Sequence, residues 1–167
     1  MCFRPIAGPY GAFLGLHGLS AHHREGDDTT PLGLFSFQST MYGVSPNPGG
    51  HFRYHRLVCG DWWDEDVRSA NYNHFVHLRC GATPPFGGDS EALWRNARAY
   101  GYLAVVNYNL APVVKGAGSA IFLHVSKGAP TTGCVSIARG DLLHVLRTLK
   151  PSLHPMIYIA TRSQLAG

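Results

Sequence analysis

Charge is scarce in this chain, with Asp, Glu, Lys and Arg making up 14% of its 167 residues. Lysine and arginine form no dense run and do not interleave with aromatic residues. This removes the pattern of a nucleic-acid-binding surface. The formal net charge of +4 suits plain solubility first, and after it an anionic partner such as nucleic acid, a cell-wall polymer or a membrane surface. Long hydrophobic runs are missing too: no stretch of about 18 apolar residues reads as a transmembrane helix. The opening residues lack the apolar core of an export signal, because Pro5 and Gly8-Pro9 interrupt it just after Arg4. Any export signal is therefore expected upstream.

Cysteine is sparse. Cys2, Cys59, Cys80 and Cys134 contain no Cys-x-x-Cys spacing, which excludes the common zinc and dithiol redox sites. Cys59 and Cys80 flank a segment, Gly60 to Arg79, that can fold back as a hairpin. They read either as a disulfide, which implies an oxidising compartment, or as two small buried hydrophobes. Of the ten histidines, the closest clusters are His22-His23, His51 with His55, and His74 with His77. None has a carboxylate at ligand spacing, and His51-x-x-x-His55 lacks the glutamate of a zinc-protease helix. No metal and no cofactor is expected.

Turn formers are abundant, with 20 Gly and 11 Pro in a chain that is 45% hydrophobic. Together they predict one mainly β domain over 1–167, long enough to bury its own core. Residues 10–19 read as a glycine-punctuated strand, followed by a polar turn at 23–31 and a strand from Leu32. Leu57-Val58-Cys59 and Phe75 to Leu78 are short strand candidates around an aromatic loop, Asp61-Trp62-Trp63-Asp64. The two tryptophans either stack on a ligand or divide between core and surface. Residues 90–99 predict a helix capped by Asp89 or Ser90. The nearly continuous apolar runs 102–108 and 120–125 predict strands buried on both faces. Leucine or valine at 142, 143, 145, 146 and 149 predicts a helix over 139–149, stopped by Pro151. Residues 156–160 close the chain as a strand.

Cys134 lies in the loop Pro130-Thr131-Thr132-Gly133-Cys134-Val135-Ser136, between a buried strand and a helix. With Ser136 as the cap of that helix, its positive end would lower the thiol pKa. Gly133 lets the backbone approach closely, so the Gly133 and Cys134 amides can face an oxyanion. His124 ends the preceding strand and can reach the thiol as a base. His144 is the rival base, and also reads as a solvent-facing helix residue. Taken alone, the pattern is equally that of a buried cysteine beside a strand-end histidine.

Gly118-Ser119-Ala120-Ile121-Phe122-Leu123-His124, followed by Ala129-Pro130-Thr131-Thr132-Gly133-Cys134-Val135-Ser136-Ile137, resembles the catalytic motif of the L,D-transpeptidase (YkuD-like) family. It is similar to the branch with a short His-to-Cys connection. Arg24-Glu25-Gly26-Asp27-Asp28-Thr29-Thr30-Pro31-Leu32-Gly33, Tyr72-Asn73 and Val105-Val106-Asn107-Tyr108-Asn109 extend the resemblance over nearly the whole chain.

The resemblance implies a β-sandwich-like mixed sheet with one or two helices, working outside the cytoplasm on the bacterial cell wall as a monomer. It implies a cysteine acyltransferase acting on peptidoglycan stem peptides. Cys134 would attack the diaminopimelate–D-Ala carbonyl, form a thioester and pass the stem to an amine as a 3→3 cross-link. His124 would be the base, and the Thr132, Gly133 and Cys134 amides the oxyanion hole. Ser119, Thr131, Ser136, Tyr108 and Asn109, with Lys115 nearby, would border the substrate. An L,D-carboxypeptidase using the same thioester, or a wall-binding module without turnover, are the other readings. The chain departs from the family at Thr132, where many relatives carry histidine, and at Ser136, where many carry Arg or Asn. His23 stands where a basic residue is usual, and the first strand of the family fold would begin before residue 4.

Overall fold

The computed structural model describes residues 4–166, so Cys2 and the expected start of the first family strand lie outside the described residues. Two short parallel strands, β1 (Leu19–Ser20) and β2 (Thr30–Pro31), bracket the polar turn expected at 23–31. The chain then enters β3 (Gly33–Gly43), an 11-residue strand rich in aromatic and hydroxyl side chains. β4 (Arg53–Arg56) runs parallel to its second half. β5 (Asp61–Asp64) and β6 (His74–His77) form an antiparallel hairpin, and β7 (Glu91–Ala92) adds to the free edge of β5. β8 (Leu103–Val106), β9 (Phe122–Val125), β10 (Val135–Ile137) and β11 (Met156–Ile159) complete the strands.

The main sheet has the order β10-β9-β8-β3-β11, with β4 also on β3. It is mixed, since β10 runs parallel to β9 while β8 is antiparallel to both β9 and β3. Successive side chains on a strand point to opposite faces. Ala104, Val106, Leu123, Val125, Val135 and Ile137 share one face with Leu142, Val145 and Leu146 of helix α1 (Arg139–Thr148). Leu103, Val105, Phe122 and Cys134 share the other face with Trp63 and Leu93 of the β6-β5-β7 layer. Trp63 is 1% exposed and meets Phe122 edge-on, with ring centroids 5.0 Å apart. Helix, sheet and small sheet therefore stack in three layers. A four-residue helix, α2 (Arg162–Leu165), follows β11. The chain is thus mainly β with mixed sheets and two α-helices among the described residues. None of its helices there is long and apolar enough to cross a membrane.

Cys59 and Cys80 form a disulfide that closes the β5–β6 hairpin at its base. The adjacent tryptophans divide as their alternation requires, Trp63 inward and Trp62 outward.

Four expectations are corrected. Residues 90–99 are not a helix but β7, a 3-10 turn at Leu93–Arg95 and a further turn in which the Ala99 and Tyr100 amides donate to Asn96. Pairing of Glu91 and Ala92 with Trp63 and Trp62, and full burial of Leu93, override local helix propensity. Residues 61–64 are a strand rather than a loop. Its two aspartates are completely buried because each has its own donors: His55, His77 and the Val58 amide for Asp61, Ser69 and the Asp66 amide for Asp64. Leu57-Val58-Cys59 is irregular because Val58 turns back on Asp61 through two hydrogen bonds. The stretch 10–19 makes only isolated bridges, Phe13 with Ser136 and Gly15 with Thr131, before β1.

Candidate active site

The register of β10 against β9 places Val135 beside Leu123 and Ser136 beside His124. Cys134, one residue earlier, stands beside Phe122. Cys134, Ser136, Phe122 and His124 therefore share one face of two adjacent parallel strands, with the imidazole one diagonal step from the thiol. The thiol donates to the Ala120 carbonyl at 3.1 Å and accepts from the Phe122 amide at 3.4 Å. His124 Nδ1 lies 2.9 Å from the Val125 carbonyl. A carbonyl only accepts, so Nδ1 carries the proton and Nε2 keeps its lone pair. Cys134 and His124 are 8% and 5% exposed, and no hydrogen bond links them among the described residues.

The expected activation by a helix end is overturned. Ser136 belongs to β10, and α1 starts at Arg139 behind Ala138, which offers no side-chain cap. Burial above all, and then the Glu91 carboxylate, push the Cys134 thiol well above its ordinary value. Burial also lowers His124, with Lys127 adding to the effect. The resting pair is a neutral thiol beside a neutral imidazole. His144 is exposed on α1, which covers the opposite face of the sheet, so it is no rival base.

Sequence reasoning missed the acidic wall beside the thiol. Tyr100 lies edge-on to both Phe122 and His124, with centroids 5.8 and 5.4 Å away, and its hydroxyl donates to Glu91. Burial raises the Glu91 carboxyl. Glu65 is pushed up to about 10, by burial first and then by Glu91 and Glu25, and its Oε1 has no hydrogen-bond partner. Glu91 falls in the segment misread as a helix and Tyr100 directly follows it, which hid their common direction.

The turn at 23–31 is a clamp on the cysteine loop. Thr30 Oγ1 donates to the Cys134 carbonyl at 3.4 Å, and Thr131 Oγ1 donates to the same oxygen at 2.6 Å. His23 meets Tyr108 edge-on and presses on Gly118, where a Cβ would lie 2.4 Å from the imidazole. Gly118 is also in the left-handed region, at φ +98°, so only glycine fits there.

The residues expected to border the substrate are mostly engaged within the protein. Ser119 Oγ donates to Glu25 at 2.7 Å, and Tyr108 Oη donates to the Ala117 carbonyl at 2.8 Å. The Asn109 side chain pins its own loop through Val114 and Gly118. Thr131 Oγ1 also accepts from the Gly133 amide at 3.2 Å, so that amide is not free for an oxyanion in this conformation. Thr132 and Lys115 are exposed. Ser136 is the exception, since its Oγ is buried without a hydrogen-bond partner on the thiol's face.

Comparison of the chain with protein-family models, curated proteins and solved structures finds no match.

Proposed function

We propose that this chain is a peptidoglycan L,D-transpeptidase using Cys134 as nucleophile and His124 as base. One observation carries the reading. His124 is held by the Val125 carbonyl in the tautomer that leaves Nε2 open, on the same sheet face as Cys134 and one diagonal step away. Rotation of the thiol off the Ala120 carbonyl would turn its proton toward Nε2. Sulfur then attacks the diaminopimelate–D-Ala carbonyl, the proton passes through His124 to the departing D-Ala amine, and a thioester remains. The amine of a second stem displaces the thioester, its proton returns through His124, and the thiol is restored as the cross-link forms. Because the resting thiol is protonated, deprotonation accompanies attack. The disulfide fits an extracytoplasmic wall enzyme, which meets an oxidising environment.

A second reading, a wall-binding module without turnover, is favoured by the thiol's bond to Ala120 and its deep burial. Intact mass after incubation with a tetrapeptide stem or a carbapenem separates the two. Acyl transfer predicts a covalent adduct that is absent from Cys134→Ala. A native chain that stays unmodified over prolonged incubation rejects the enzyme and leaves the module.

A further inference from the structure

Trp62 points away from the thiol, opposite to Trp63, and borders a groove of about 300 Å³ on the outer face of the β5–β7 layer. Trp94 and Pro84 supply further apolar wall, and the Cys59–Cys80 disulfide forms one end. The two indoles meet edge-on with centroids 5.3 Å apart, and Phe86 supports Trp62 from another side at 5.9 Å. Arg79 and Arg95 are exposed and line the same groove, with Arg95 lying 5.5 Å over the Trp94 ring. No carboxylate among the described residues lines it. The floor is firmly held, because Asp61, next to Gly60, is gripped by His55, His77 and the Val58 amide.

Each feature narrows the occupant. Half-exposed indoles beside a proline offer flat apolar surface to the C–H faces of a pyranose ring. Two guanidinium groups with no acid between them select an anion, and their planar fork matches a carboxylate. The volume lies at the small end of ligand sites, enough for one or two sugar rings. We infer that this groove binds an acidic oligosaccharide, with a pyranose ring against Trp62 and Trp94 and its carboxylate on Arg79 and Arg95. The site lies on the far side of the layer from Cys134, so it would hold the oligosaccharide without touching the thiol's face. The inference rests on the groove alone and is tested by binding, independently of acyl transfer.

The matched probes are the disaccharide of N-acetylglucosamine and N-acetylmuramic acid, which carries one carboxylate, and neutral N,N′-diacetylchitobiose. Titration followed by tryptophan fluorescence and calorimetry is expected to show the acidic disaccharide binding about tenfold more tightly or better. Added salt should weaken the acidic probe alone. Arg79→Gln with Arg95→Gln should erase the preference, and these surface changes keep the test valid where Trp62→Ala fails to fold. Folded Trp62→Ala should lose binding of both sugars, while Cys134→Ala should bind like the native chain. Equal affinity for the two sugars, no binding of either, or a preference that survives both arginine changes overturns the proposal. Displacement of the bound acidic disaccharide by a proline-rich peptide without carboxylates does so as well.

Discussion

The Asn73 side-chain oxygen accepts the Ala120 amide at 3.0 Å, joining the small-sheet layer to the residue whose carbonyl holds the Cys134 thiol. The same oxygen accepts Trp63 Nε1 at 3.0 Å, and its amide nitrogen donates to the carbonyls of Tyr108 and Asn109. Both Asn73 and Ala120 have positive φ, 62° and 53°, a conformation that needs support from its surroundings. Asn73→Ala leaves four partners without their bonds, the Trp63 and Ala120 groups buried and the Tyr108 and Asn109 carbonyls half-buried, so it should cost about 2–4 kcal/mol of stability in denaturant unfolding. It should also speed alkylation of Cys134 in the folded state, since the carbonyl that holds the thiol is released. Unchanged stability would show that this network does not position Ala120.

Glu65 makes stability fall as pH rises. Its folded carboxyl titrates at about 10, far above an unfolded glutamate, so between the two values the unfolded state has lost a proton that the native state retains. The cost is absent at acid pH, begins near the unfolded glutamate value and keeps growing through neutral pH until about pH 10. Glu65→Gln should therefore stabilise the chain by about 1–3 kcal/mol at pH 7 and flatten the decline. Unfolding titrations at several pH values give the answer, and a neutral or destabilising effect at pH 7 would contradict it.

Glu91→Gln keeps an acceptor for the Tyr100 hydroxyl while removing the charge that adds most, after burial, to the raised thiol value. The pH–rate profile of Cys134 alkylation should move to lower pH. A profile that stays in place would mean that the Glu91 charge does not set the thiol, leaving burial and Glu65.

The Cys59–Cys80 disulfide closes the hairpin that carries Asp61 and the two tryptophans. Reduction, or replacement of both cysteines by serine, should cost about 2–4 kcal/mol. Thermal unfolding with and without reductant measures it. A melting temperature indifferent to reductant would show that the His55–Asp61–His77 clamp holds the hairpin unaided.

Periodicity and residue type made part of this molecule legible in the sequence. The apolar runs at 102–108 and 120–125 could only be central strands, and the spacing over 139–149 could only be a helix on their face. Residues 90–99 failed because helix formers say nothing about an open edge on β5, which Glu91 and Ala92 fill from a distance. The Asp61-Trp62-Trp63-Asp64 strand failed for a related reason: buried aspartates become acceptable only once remote histidines, hydroxyls and amides surround them. Cys134 and His124 were visible as a pair in sequence. The carboxyls of Glu65 and Glu91 were not, because three-dimensional folding alone brings them to the thiol.

His124 provides the sharpest test of the proposed chemistry. Its Nδ1–H bond to Val125 fixes the tautomer, and burial holds its pKa below the ordinary histidine value. A base acts in its neutral form, so acylation should fall away on the acid side only below that lowered pKa. His124→Ala should slow acylation by about 10²–10⁴-fold and remove the acid limb. His124→Asn, which keeps a donor at the Nδ1 position for the Val125 carbonyl but has no basic nitrogen, should retain the fold and share the loss. His144→Ala should change nothing, since that residue lies on the helix behind the sheet. Stopped-flow acylation by a chromogenic cephalosporin or a carbapenem reads all three variants. A native rate in His124→Asn would leave the imidazole as a packing partner of Tyr100, and the thiol would need another base.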